Sequence, residues 1–306
     1  MPISWIQDLL AHLILIGVLI IHILLQNIAL SKVLKPTPLT FLEKVLLPVA
    51  FFSNFKSLLM RRLKLTIEYD GTLYHGWQRQ PAFASIQGTI EKTLGEITQS
   101  KITLVGSGRT DSGVHAMGQV AHCEVKTPIP NEKLLKGLNT LLPKDISIKK
   151  LETVPPTFHA QKSAKYKTYI YKILNSPVPS PLLRKYSCWI IPPLNIQKMN
   201  KAARMLIGKH DFKAFQNQGT KLLSTVREVY ISRIKKEPPC IVYEITGSGF
   251  LKQMVRNIVG ALIEVGKEKM TVEDFKTLLK SKNRRLCPKP APASGLFLKE
   301  VYHKIS

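Results

Sequence analysis

From Leu63 onward apolar residues recur at every second position, Leu63, Leu65, Ile67 and Tyr69, and the run stops at Asp70-Gly71. That period predicts a strand with one buried face, running into a turn. Ser85 then precedes Ile86, Ile90, Leu94 and Ile97, which share one face of a helix that the serine hydroxyl can cap. Strands follow over 102–105, 119–125 and 146–154, with a helix over 132–142 closed by Pro143 between the last two.

After Pro155-Pro156 the pattern restarts, with a strand over 166–174, a helix over 196–207, and strands over 226–234 and 241–246. Leu251, Met254, Val255, Ile258, Val259, Leu262 and Ile263 form one apolar stripe at helical spacing, with Arg256 on its flank near the helix start. A short helix over 272–279, a Lys/Arg/Pro-rich loop over 280–292 and a strand over 296–302 complete the chain. Alternating strands and helices of this kind predict an α/β (α+β) fold with two related halves, 60–155 and 156–306. No repeat of solenoid length interrupts them.

Residues 1–59 read differently. No Asp, Glu, Lys or Arg lies between Asp8 and Lys32, and 9–25 is almost wholly Leu, Ile and Val, enough to span hydrocarbon. Two readings stand: a membrane segment within 9–30, with Lys32 and Lys35 holding the remainder in the cytoplasm, or a stretch ahead of a working start at Met60. A secretory signal is not among them, because neither a basic leading region nor a small-residue cleavage site is present.

Charge changes the picture. Lys and Arg number 45 against 20 Asp and Glu, a formal +25, and only +2 of it falls in 1–59, where four lysines face two acids. The remaining +23 points to a polyanionic partner. Cys123, Cys188, Cys240 and Cys287 are dozens of residues apart, which fits a reducing cytoplasmic interior and no zinc knuckle. His115, His122, Cys123 and Asp111 lack the spacing that would put metal ligands on one face, and no GxGxxG or P-loop string occurs, so neither a metal nor a cofactor is expected.

The densest cluster of reactive and conformationally special residues is Gly106-Ser107-Gly108-Arg109-Thr110-Asp111-Ser112-Gly113-Val114-His115-Ala116. Its glycines permit a tight turn at the mouth of a cleft. A carboxylate beside a cation in a preorganised pocket can act as nucleophile or base, whereas the same pair in solvent is an ordinary turn Asp with its Arg109.

The string GRTDSGVHA, TIEYDG with GWQRQ behind it, FHA followed by KYKTYIY, and MVRNIVG followed by SGLFLKEVY occur in one order and spacing. In these the chain resembles the tRNA pseudouridine synthase A family from about Leu63 to Tyr302. The resemblance implies two halves, each a mostly antiparallel sheet with helices on one face, around a basic central cleft. It implies isomerisation of uridine to pseudouridine in the anticodon stem-loop of tRNA, at family positions 38, 39 and 40, by a cytoplasmic homodimer. Asp111 takes the role of nucleophile, and Arg109 would pair with it and take the flipped base's place in the RNA. Tyr169 would stack on the uracil, Arg256 would pair with the carboxylate or a substrate phosphate, and Leu296 would line the pocket. Basic runs at 61–64, 133–150, 162–172 and 280–289 would follow phosphates. The chain departs from the family pattern at Gln161-Lys162, where Arg-Phe is commoner after FHA, and in its first 59 residues. The rival functions are an RNA-binding protein of the same fold without catalysis, which the intact Asp111, Arg109, Tyr169 and Arg256 set argues against, and a membrane-tethered form.

Overall fold

The first alternating run becomes strand β1, Met60–Tyr69, in which Leu63, Leu65 and Ile67 are fully buried and their neighbours are partly open. The computed structural model describes residues 60–217 and 223–303; the apolar stretch at 9–30 lies outside them. Among the described residues no helix is long and apolar enough to cross a membrane. Helix α1, Ile86–Thr98, is capped by Ser85, whose side chain accepts from the Gly88 amide. It sets Ile86, Ile90 and Leu94 into the core, each completely buried and worth about 1.5–3 kcal/mol.

Strand β2 is only Val105–Gly106. The extended pattern at 102–105 arises from burial of Ile102 and Leu104, not from pairing. The backbone of Leu104 is bonded instead by α1 side chains: its amide donates to Glu91 Oε1 at 2.8 Å and its carbonyl accepts from Gln87 Nε2 at 2.9 Å. Strand β3 is His115–Lys126, helix α2 is Asn131–Leu141, and β4 is Ile146–Val154.

The second half supplies β5 Ala164–Asn175, β6 Cys188–Ile190, helix α3 Ile196–Arg204, β7 Gly208–Asp211, β8 Val226–Glu237 and β9 Cys240–Gly247. Helices α4, Met254–Gly266, and α5, Val272–Ser281, precede the last strand, β10 Leu296–His303. Leu251 belongs to the turn before α4, because Gln253 adopts a left-handed φ of 60° and the helix starts after it. Thr271 and Asp274 close α5 with a reciprocal capping box.

These strands form one sheet in the order β4-β1-β3-β10-β5-β9-β8-β7, with β2 on β3 and β6 on β5. Pairing is antiparallel except at β3–β10 and β5–β6. The fold is therefore the expected mixed α/β arrangement with a mostly antiparallel sheet. The short parallel contact, Phe297 with His115 and Leu298 with Ala116, joins the strands of the two halves into a continuous surface. One apolar cluster contains residues of all five α-helices among the described residues and of both halves of the sheet.

Candidate active site

Asp111 sits in the loop between β2 and β3, and that loop is bonded on every side. From the turn after β1, the Trp77 amide donates to Thr110 O at 3.1 Å, while Tyr74 O accepts from the Gly113 amide at 3.3 Å and from Ser112 Oγ at 3.2 Å. Tyr69 OH and Thr110 Oγ1 lie 2.8 Å apart at the end of β1. From β3, Gln119 accepts from Ser107 Oγ at 3.0 Å and donates to Gly108 O at 2.8 Å. Gly76 makes the approach possible: its φ is +86°, and a Cβ there would stand 2.4 Å from Thr110 O. A carboxylate on such a scaffold is positioned before substrate arrives.

The loop forms one wall of a cavity of about 1010 Å³. Tyr169 of β5, Leu296 of β10, Phe250, and the start of α4 with Arg256 form others. Among the described residues of that lining Asp111 is the single carboxylate against five cationic side chains, Arg109, Lys167, Arg227, Lys252 and Arg256. Arg256 Nη1 lies 3.4 Å from Asp111 Oδ2, with both side chains largely but not wholly shielded from solvent. The other end of the guanidinium is fixed, since Arg256 Nε donates to Ala291 O at 2.8 Å and the Ala291 amide donates back to Arg256 O at 3.0 Å. A loop carbonyl and a helix backbone thus aim one cation at the carboxylate.

Arg109 does not make the pairing with Asp111 that the resemblance implied. It is exposed at the cavity wall and forms no ion pair among the described residues; the partner of Asp111 is Arg256. Adjacency in a tight turn does not bring two side chains together, and here the turn directs Arg109 toward solvent.

Tyr169 is buried and meets Phe250 edge to face, with ring centroids 5.1 Å apart at 82°. Burial, followed by the nearby Tyr69 and Asp111, drives its phenol well above the ordinary tyrosine range, so it stays protonated across the working pH range. The structure therefore brings Asp111, Arg256, Tyr169 and Leu296 to one cavity, with Arg109 at its edge.

The place of Phe250, Lys167, Arg227 and Lys252 in the cavity lining is not singled out by the sequence. For Lys167 a signal existed: it precedes Tyr169 by two positions on a strand, so both side chains leave the same face. His115, in contrast, is structural. It lies 3.0 Å from Asp70, stacks on Phe297, and contacts Lys185 O at 2.9 Å, tying β3 to the second half away from the cavity lining. Among the described residues no group of three or more His, Cys, Asp or Glu side chains is placed to hold a metal.

A family model described as tRNA pseudouridine synthase matches residues 65–161 and 202–304. The chain is 46% identical over 245 residues to a protein of Ruminiclostridium cellulolyticum named tRNA pseudouridine synthase A, a match covering 80% of this chain and 100% of that one. Proteins with the same name from Acetivibrio thermocellus and Thermoanaerobacter sp. are 43% and 44% identical over 244 and 245 residues, again across 80% of this chain and the whole of each relative. The match spans the Asp111 loop and the start of α4, while Lys167 and Tyr169 of β5 lie between its two matched segments, and the chain belongs to the tRNA pseudouridine synthase family.

Proposed function

We propose that this chain converts uridine to pseudouridine in the anticodon stem-loop of tRNA, at positions 38, 39 and 40, with Asp111 as nucleophile. The observation that carries the reading is the pairing of Asp111 with Arg256 at 3.4 Å inside a cavity in whose lining the described residues include no second carboxylate. A uridine in a folded RNA reaches such a carboxylate only by leaving its stack. The excess of cations around the cavity suits the phosphates on either side of it.

The chemistry conserves every atom. Asp111 bonds to C1′ of the ribose as the C1′–N1 bond breaks and the uracil leaves with the electron pair. The freed base turns, C5 bonds to C1′ and displaces the carboxylate, and the proton on C5 is lost while N1 gains one. Tyr169, neutral and held edge-on by Phe250, supplies a flat face for the uracil, and Leu296 an apolar wall that limits its freedom to drift while detached. Arg256 keeps the carboxylate aimed. No change of oxidation state occurs, and no cofactor enters the scheme.

Two further features follow from the resemblance: a homodimer in which one tRNA contacts both subunits, and a cytoplasmic location. Sedimentation of the protein with and without tRNA tests the first.

The central test is Asp111→Asn. Product formation on an unmodified tRNA transcript under single-turnover conditions should vanish, while tRNA affinity changes by less than about tenfold, because phosphate contacts dominate binding. Turnover near the wild-type rate would remove Asp111 from the mechanism.

A further inference from the structure

Four of the five cations lining the cavity have no carboxylate partner among the described residues. Of these Lys167 is the most confined. Its ammonium is half-buried in the wall and donates to Ser107 O at 2.6 Å, immediately before the Gly108-Arg109 step of the catalytic loop. Gly108 leaves room for it, since a Cβ at that position would lie 3.1 Å from Nζ. An ammonium carries three N–H donors, and one is accounted for. Two remain, in a place where water is partly excluded and no anion among the described residues compensates the charge. An uncompensated charge in a sheltered site is costly unless a ligand completes it.

The position along β5 says which part of a ligand that is. Lys167 and Tyr169 both line the cavity from the same face of the strand, about 6.8 Å apart at 3.4 Å per residue. That spacing sets an aromatic face for a base beside a cation for the phosphate of the same or an adjoining nucleotide.

We propose that Lys167 is a phosphate-binding residue, completed by a backbone phosphate of the nucleotide drawn into the cavity or of its immediate neighbour, while its bond to Ser107 O steadies the loop bearing Asp111. The inference rests on the proposed tRNA reaction. It assigns to one half-buried lysine a contact that is made at the reacting nucleotide and not along the outer stem.

The salt dependence of tRNA binding separates this from a purely structural role. Each phosphate contact contributes about 0.7 to 0.9 to the slope of log affinity against log salt. Binding of an unmodified tRNA transcript should therefore lose about that much slope in Lys167→Met, with KM raised roughly tenfold as a charge-assisted contact is lost. Lys167→Arg should restore both. A Lys167→Met slope equal to that of the wild type would overturn the assignment, whether or not kcat falls, because a lysine that only pins Ser107 changes geometry and not counterion release. Should Lys167→Met fail to reach a wild-type melting curve, Lys167→Gln, uncharged but still an amide donor, is measured in the same way. Absence of pseudouridine with the wild-type protein would strike the proposed reaction, whereas an unchanged slope beside an active wild type strikes only the Lys167 contact.

Discussion

Gly260→Ala tests how Arg256 is aimed, at a residue that touches neither Asp111 nor the cavity. Gly260 lies one turn beyond Arg256 on the same face of α4. The strand-like loop at 288–292 crosses the helix there so closely that a Cβ on residue 260 would stand 2.2 Å from Lys289 O and 3.4 Å from the Ala291 amide nitrogen. Restoring an ordinary 3.4 Å contact to Lys289 O demands a displacement of about 1.2 Å. The same loop carries Ala291, whose carbonyl and amide hold Arg256 through bonds of 2.8 and 3.0 Å; a shift of that size breaks both. Overpacking costs about 1–3 kcal/mol, and replacing a helical glycine returns roughly 1. The net change of about 0–2 kcal/mol lowers the melting temperature by up to about 8 °C in a domain of this size. The rate should suffer far more, since an ångström of misplacement at a catalytic group costs on the order of a hundredfold. The assay is single-turnover pseudouridine formation on an unmodified tRNA transcript at saturating enzyme, with a thermal melt and a tRNA titration alongside. A folded Gly260→Ala protein that binds tRNA normally and reacts within about threefold of the wild type would refute the claim that the loop aims Arg256.

Acid should destabilise the fold through buried histidines. His122 is pushed down from 6.5 to about 4, chiefly by burial and then by His159 and Arg62. Below pH 6.5 the unfolded chain binds a proton that the folded chain refuses, so stability is complete above that value and is lost as pH falls toward 4, by at most about 3 kcal/mol. His115 and His303 are lowered by burial in the same direction. Melting curves from pH 7 to 4.5 should show this loss, and His122→Asn, which retains an acceptor for the Ala160 amide, should flatten it; an identical pH slope in the variant would remove His122 as a cause. A chain truncated to begin at Met60 should fold and keep full activity, because β1 starts there and the family match starts at 65. Loss of tRNA modification by the truncated chain would show that residues 1–59 take part.

Much of this protein is legible in its sequence because local physics decides it. The alternation in β1 survives folding because one face of the sheet is covered by helices, so a period of two maps directly onto Leu63, Leu65 and Ile67 at zero exposure. Ser85 and Thr271 cap helices because a hydroxyl beside free amides needs no distant partner. Asp111 stands out for a similar reason: a turn with glycines on both sides identifies its own loop. What the tertiary structure alone decided are contacts between residues far apart in the chain. The resemblance offered both Arg109 and Arg256 as partners of Asp111, and folding chose Arg256, 145 positions away, over Arg109 two positions away. No spacing rule encodes that choice, because it depends on the Phe297–His115 register that joins the halves and on the loop at 288–292 that grips α4. Leu104 looked like a strand residue because buried and paired backbones share the same apolar pattern, and only the folded chain reveals that Gln87 and Glu91 satisfy it. Lys167 was one lysine in a basic run until folding enclosed it beside the catalytic loop, since burial, not residue type, separates a solvated charge from a binding group.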